Sequence, residues 1–243
     1  VRRRFFVDHF EGTTAVMEGD VAHHLGNVLR AQSGQLYELS DGSAAWLARI
    51  ETVSRSRVEF ALLEHLPAPQ PIADITLLLA VVKFDAFEWA LEKATELGVT
   101  KIIPLAAARS EKGLLAAAAK RSKRWQKILL ESSQQSRRLR LPQLDELVKP
   151  AQAFAAQTAE LRFMLSERSD APSVRKALAD SNRAKLASTA ALAIGPEGGW
   201  TDDELAAARS ANFQEASLGQ LILRTETAVI SALSVLNFAL APD

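Results

Sequence analysis

The residues Ile194-Gly-Pro-Glu-Gly-Gly-Trp200 stand directly after an apolar run and directly before a helical pattern that begins at Asp202. Three glycines there let the backbone approach a ligand closely at the carboxyl end of a strand, where open α/β sheets bind their ligands. A plain tight turn is the bland reading. Thr201 with Glu204 forms a capping box, so part of the pattern is helix initiation. The stretch lacks the Gly-Lys-Ser/Thr ending of a triphosphate cradle and the glycine spacing of a dinucleotide site.

A carboxylate, Glu197, sits inside this loop. Beside a pyrophosphate that charge would be repulsive, whereas a cationic or zwitterionic ligand tolerates it. S-adenosylmethionine therefore suits the loop better than a nucleotide phosphate.

A second stretch, Ser217-Leu-Gly-Gln-Leu-Ile-Leu-Arg-Thr-Glu-Thr-Ala228, again joins a strand pattern to a helix pattern. Its Leu221, Ile222 and Leu223 are apolar in what should be a surface loop, so the loop is expected to be buried against something, as a short extra strand or a core plug. Thr225 is a good N-cap. Arg224 and Glu226 flank it and are expected to face the same cleft as the glycine loop, either as chemistry or as an ion pair organising the helix start.

The elements that must position these loops follow from periodicity. Ile75 to Val82 is a continuous apolar run, as expected for a strand covered on both faces. Phe84, Phe87, Leu91 and Ala94 share one face of the helix after it, and Gly98 ends that helix. A strand around Lys101 to Leu105, a long basic helix over about 114–137, strands at Leu161 to Leu165, Ala190 to Ile194 and near Gln214 to Leu218, and helices from Asp202 and from about Thr225 complete the pattern. Such alternation predicts an α/β domain with a mostly parallel sheet. Upstream, Arg4 to Val7, Gln35 to Ser40, Ala44 to Glu51 and Arg57 to Leu63 read as short strands of a small barrel, with turns at Ser33-Gly34 and Asp41-Gly42. Asp20 is placed to cap a helix with Val21, Leu25, Val28 and Leu29 on one face. Pro67, Pro69 and Pro71 permit neither helix nor central strand, which puts a domain boundary between residues 1–66 and 72–243.

Composition narrows the function classes. With 243 residues, 48% of them hydrophobic, and no cysteine, the chain can bury a core without disulfides and carries no thiolate metal site or cysteine nucleophile. The longest uncharged apolar stretch, Ala228 to Ala241, is shorter than the roughly 20 residues of a membrane span. With no signal pattern at the start, a cytoplasmic protein is expected. The four histidines His9, His23, His24 and His65 show no metal-ligand spacing, and no metal is assigned. Net charge is zero, yet residues 120–140 carry +7 and the remainder −7. With Arg2, Arg3 and Arg4 as a second basic block, this uneven distribution fits either a localised anionic partner such as nucleic acid or solvated helix faces. Arg124, Glu131, Gln135 and Arg138 fall on one stripe of the basic helix beside an apolar stripe of Trp125, Ile128 and Leu129. The apolar stripe is core, and the polar one is a candidate RNA face.

Together the two loops resemble the signature loops of the ribosomal RNA small-subunit uracil-N3 methyltransferases, of the SPOUT superfamily. The resemblance rests on Ile194 to Gly199, Leu218-Gly219 and Ile222 to Ala228. Glu92-Lys-Ala-Thr-Glu-Leu-Gly-Val99, the segment from Arg124-Trp125 through Glu131 to Gln135-Ser136 and Arg138, and His23-His24 with Val28-Leu29-Arg30 agree with it. One departure stands at Ala107-Ala-Arg-Ser110, where the family more often has an acid before the Arg-Ser pair.

The resemblance implies a PUA-like RNA-binding barrel, a knotted α/β domain that binds S-adenosylmethionine, and a homodimer acting on 16S ribosomal RNA of the small subunit. It further implies that Leu165, Ser166, Ile194, Gly195, Pro196, Glu197, Gly198, Gly199, Leu218, Gly219, Leu221, Leu223, Arg224, Thr225 and Ala228 hold the cofactor. RNA contact is implied for Arg2, Arg3, Arg4, His24, Arg30, Arg109, Arg124, Gln135 and Arg138.

Methyl transfer from a sulfonium is an in-line displacement, so the protein chiefly positions donor and acceptor and stabilises charge. Uracil N3 carries a proton when neutral, and an arginine facing the base edge lowers the cost of the anion. Arg224 is the candidate for that role, with Glu226 as general base or as the group orienting Arg224. Without cysteine, the covalent thiol route to pyrimidine C5 is closed, which leaves ring nitrogens and ribose hydroxyls. A knotted methyltransferase acting on ribose or another RNA position, and a non-catalytic RNA-binding or ribosome-assembly module, are the competing readings.

Overall fold

A computed structural model describes residues 3–67, 71–179 and 187–241. The chain divides into two units: Val1–Gln70 with Ser133–Leu141, and Pro71–Ser132 with Pro142–Asp243. The first break falls between Gln70 and Pro71. The return of residues 133–141 to the N-terminal unit has no counterpart in the sequence pattern.

The N-terminal unit is built on strands β1 (Arg4–Phe6), β2 (Phe10–Glu11), β3 (Thr14–Glu18), β4 (Leu36–Ser40), β5 (Ala45–Val53) and β6 (Arg57–Leu66). They form a six-stranded sheet in the order β1-β4-β5-β6-β3-β2. Only β1 with β4 runs parallel. Phe5, Met17, Leu39, Ile50, Val58 and Phe60 meet in its core. The Asp41-Gly42 turn works as expected. Asp41 Oδ1 accepts from the amides of Ser43 and Ala44, each at 2.8 Å. Slight burial pushes the Asp41 carboxyl up, but these donors outweigh it and hold the group below the usual carboxylate range.

The helix after β3 departs from expectation. α1 (Gly19–His23) follows Glu18, no side chain caps it, and Asp20 lies in its first turn rather than before it. At His24 the backbone widens into a π-turn over His24–Val28, with the Leu29 amide donating to the His24 carbonyl at 3.0 Å. The extra residue in that turn rotates the apolar stripe out of register. Ala22 and Leu25 face the core, whereas Val21, Val28 and Leu29 are exposed.

The C-terminal unit holds β7 (Asp74–Ala80), β8 (Lys101–Leu105), β9 (Gln143–Leu144), β10 (Leu161–Leu165), β11 (Thr189–Ile194) and β12 (Gln214–Ala216). All are parallel, in the order β12-β10-β11-β7-β8-β9. Helices α2 (Phe84–Glu96), α3 (Lys112–Gln135), α4 (Pro150–Ala155), α5 (Val174–Ala179), α6 (Asp202–Ser210) and α7 (Thr225–Leu240) connect or follow them. The apolar run of β7 is explained by its two covered faces. Ile75, Leu77 and Leu79 point into a core with Leu91, Trp125 and Leu233 of α2, α3 and α7. Leu78 and Ala80 point into a second core with Phe154, Trp200 and Leu205. Each fully buried leucine contributes about 1.5–3 kcal/mol relative to exposure. Trp125 is core as expected, its ring centroid 4.6 Å from that of Phe87.

Candidate functional site

The carboxyl ends of β10 and β11 open onto a cavity of about 360 Å³. Leu165 and Ser166 come from the end of β10, Ile194 through Trp200 from the glycine loop, and Ser217 through Leu223 with Thr225 and Ala228 from the second loop and the start of α7. Arg109, Glu167, Arg168, Asp202 and Leu205 complete the wall.

The glycine loop is held at every side. Trp200 Nε1 donates to the Leu165 carbonyl at 2.9 Å, which ties the loop to the end of β10. A Cβ on Gly195 would stand 3.0 Å from the Trp200 indole, tighter than ordinary contact, so a side chain there would push against the ring. The Gly199 amide closes a turn on the Pro196 carbonyl at 2.8 Å. The capping box is present: Thr201 Oγ1 accepts from the Glu204 amide, and Glu204 Oε2 accepts from the Thr201 amide at 2.9 Å. The other oxygen of this buried carboxylate accepts from the Ala108 amide at 2.8 Å. Glu204 thus fixes the segment after β8 against the start of α6, and Arg109, the next residue, lays its stem along Gly198 and donates from Nη1 to the Gly198 carbonyl at 2.7 Å.

The second loop is held at its ends. The Ser217 amide donates to the Pro172 carbonyl and the Val174 amide to the Ser217 carbonyl, each at 2.8 Å. Thr225 is buried and reaches the Gly195 carbonyl with Oγ1 at 3.5 Å, joining the two loops. Arg224, not Thr225, is the N-cap of α7, and no side chain caps that helix. Between these anchors Leu221 and Ile222 are 83% and 76% exposed, against the expectation that the loop is buried. Among the described residues nothing covers their apolar surface.

Every residue expected at the cofactor lines the cavity except Arg224, which is exposed. Glu226 is half-buried and is also not on the wall. The residues expected at RNA divide more sharply. Arg2 lies outside the described residues; Arg3, His24, Arg30 and Gln135 are exposed, with Arg30 in a left-handed turn of φ 52°. Arg4 is only 5% exposed and serves the fold. Its guanidinium meets Glu38 Oε2 at 3.1 Å and donates to the Arg137 carbonyl at 2.8 Å. Arg137 reaches the other Glu38 oxygen at 3.5 Å. Arg124 donates to the buried Glu88 at 2.7 Å, and Arg121 pairs with the same carboxylate at 3.3 Å. Arg138 lies beyond the end of α3, off the expected helical stripe, and donates from Nε to the Arg140 carbonyl at 3.1 Å. Burial lowers its pKa. The sequence missed Arg168, which pairs with Asp170 at 3.1 Å beside the cavity; only its place just after a strand end signalled it.

Comparison with known proteins decides the family. Residues 68–237 match the family described as RNA methyltransferase domain, and residues 18–63 match the RNA methyltransferase PUA domain. Ribosomal RNA small subunit methyltransferase E from Synechocystis is 34% identical over 221 residues, covering 88% of this chain and 70% of that protein. The chain belongs to the ribosomal RNA small subunit methyltransferase E family. Family members from Mycobacterium bovis and Rickettsia conorii are each 31% identical, over 96% and 87% of this chain and 90% and 84% of their own lengths. Among solved structures, the family member from Neisseria gonorrhoeae bound to S-adenosyl methionine is 29% identical and superposes with a TM-score of 0.86 over 98% of both chains. A putative methyltransferase from Legionella pneumophila in complex with the same cofactor is 29% identical, with a TM-score of 0.87 over 98% of both chains.

Proposed function

We propose that this RNA methyltransferase transfers a methyl group from S-adenosylmethionine to N3 of a specific uridine in 16S ribosomal RNA of the small subunit. The observation that carries this reading is the cavity formed where the two family loops meet at the ends of β10 and β11. Its residues fit the cofactor. The missing side chain at Gly195 leaves bare backbone at the cavity wall, Leu218, Leu221 and Leu223 supply apolar surface, and the wall includes the carboxylates Glu167 and Glu197. These residues and Ser166 would hold it, Thr225 joining the two loops behind it. When bound, S-adenosylmethionine supplies an electrophilic methyl group on a sulfonium.

Exposed Arg3, His24 and Arg30 of the N-terminal unit are the reading's RNA contacts, and the π-turn that opens at His24 is a feature frequent at functional sites. Arg224 and Glu226, at the start of α7 and off the cavity wall, fit contact with the RNA better than with the cofactor. The homodimer belongs to the same reading. Trp89, Leu221, Ile222 and Phe238 of the C-terminal unit are exposed apolar groups that a second copy would cover. The knotted path is part of it too, supported by a second loop bonded both to Pro172 and to Gly195. No helix among the described residues is long and apolar enough to cross a membrane, which accords with work in the cytoplasm.

The deciding experiment is transfer from labelled S-adenosylmethionine to small ribosomal subunits and to their naked RNA, followed by nucleoside mass spectrometry. A new 3-methyluridine is the expected product. Another methylated nucleoside would move the acceptor to ribose or a different base, and failure to bind the cofactor would leave a non-catalytic RNA module.

A further inference from the structure

Two arginines line the cavity, and one of them is already committed. Arg168 is surrounded by Asp170 at 3.1 Å, Asp202 at 3.7 Å and Glu215 at 3.8 Å. Arg109 differs. Among the described residues its one hydrogen bond runs from Nη1 to a neutral carbonyl, that of Gly198, and no carboxylate lies within ion-pair distance of it.

The fold nevertheless fixes where Arg109 stands. Glu204 holds the Ala108 amide, and the Ser110 amide closes a turn on the Ala107 carbonyl at 3.0 Å. A Cβ on Gly198 would meet Arg109 Cβ at 3.3 Å and Cδ at 3.4 Å, tighter than ordinary contact. Gly198 is therefore bare because the Arg109 stem occupies the space, which gives this glycine a purpose separate from cofactor binding. The result is a full positive charge, pinned at its backbone and at one nitrogen, on the wall of the cavity. Two more N–H-bearing nitrogens, Nε and Nη2, remain for a ligand.

We infer that Arg109 is a catalytic residue that faces the acceptor base and stabilises its anion during transfer. The inference rests on the methyl-transfer reading above. An imide nitrogen such as N3 of uracil shares its negative charge with the flanking carbonyl oxygens once its proton has left. A planar guanidinium donates to such an oxygen and favours the ionised form. In the step, the N3 proton passes to solvent, the N3 electron pair forms the bond to the donor methyl carbon, and the pair of the broken carbon–sulfur bond stays on sulfur. Arg109 gives up no proton. The other charged groups on the wall are Glu167, Glu197, Arg168 and Asp202.

The test compares single-turnover methyl transfer by the wild-type chain, Arg109→Lys and Arg109→Ala across about pH 6.5 to about pH 9.5. S-adenosylhomocysteine affinity is measured by calorimetry and the product nucleoside is identified. The expected result is a loss of about 10²–10³-fold for Arg109→Ala near neutral pH, shrinking as rising pH ionises the base unaided. Lysine should restore part of the rate, added guanidinium should restore part of the alanine variant's rate, and product affinity should fall far less than the rate, by no more than the lost hold on Gly198 accounts for. A loss that is the same at every pH, or one matched by an equal loss of S-adenosylhomocysteine affinity, would overturn the inference and leave Arg109 as a support for the glycine loop. An unimpaired Arg109→Ala would overturn it as well. A wild-type product other than 3-methyluridine would instead refute the N3 reading, with the pH profile still deciding whether Arg109 favours that acceptor's anion. A wild-type chain that transfers nothing would overturn both.

Discussion

The two loops that wall the cavity are built in opposite ways. The glycine loop is bonded to β10 through Trp200, to α6 through the Thr201–Glu204 capping box and to the segment after β8 through Arg109, so its backbone is in place before any ligand arrives. The second loop is fastened at Ser217 and Thr225 and presents Leu221 and Ile222 to solvent between them. One loop is a preorganised wall, and the other is a surface that gains from being covered. Preorganisation lowers the cost of binding, whereas an uncovered apolar loop stores a driving force that is released when something seals it.

That contrast can be broken most strongly at Gly195. Gly195→Ala puts a methyl 3.0 Å from an indole whose nitrogen is bonded and which packs on Phe154, so little can yield. The expected cost is about 1–3 kcal/mol of stability. S-adenosylhomocysteine affinity should fall on the order of tenfold or more, a loss worth at least about 1.4 kcal/mol. Unchanged melting and affinity would mean the loop is softer than its bonds suggest. Glu204→Ala removes a capping box and leaves the Ala108 amide without its acceptor, so chemical denaturation should show a loss of about 2 kcal/mol. Leu221→Ser with Ile222→Ser should change the stability of the isolated chain by no more than about 0.5 kcal/mol, because both side chains are exposed. The same pair should weaken cofactor binding or self-association in calorimetry and sedimentation, and no change in either would show that the loop is never covered. A similarly small stability effect is expected at Ser217, whose Oγ donates to the Gly219 carbonyl at 2.9 Å in an exposed bond; Ser217→Ala should cost about 0.5 kcal/mol and leave self-association unchanged.

The contrast also marks how far the sequence could be read. Periodicity and turn chemistry located five of the six strands of the parallel sheet, all but the two-residue β9, together with the core role of Trp125, the Asp41 turn and the capping box, because each is set by residues close in the chain. Both cavity loops were legible as strand-to-helix connections rich in glycine or in misplaced apolar residues. What escaped depends on distant partners. Arg4 reads as a surface cation until Glu38, on the neighbouring strand, is seen to bury it. Arg124 reads as an unpaired cation of the basic helix until Glu88 of α2 is found against it. The π-turn at His24 has no local signal beyond a helical pattern that fails to stay on one face. Arg109 and Gly198, far apart in sequence, meet only because β8 and β11 both flank β7 in one sheet.

The N-terminal unit is not a bead that ends where its last strand ends. Its six strands are complete by Leu66, yet Glu38 receives its second arginine, Arg137, and Ser40 donates to the Leu139 carbonyl at 2.8 Å, only through a segment some seventy residues later in the chain. Domains of a growing polypeptide generally fold from the N-terminus as they emerge. Here the first-made unit must wait, one flank of β4 unfinished, while α2, β8 and nearly all of α3 are synthesised. A gene cut at the prolines would therefore release a sheet that lacks a piece of itself.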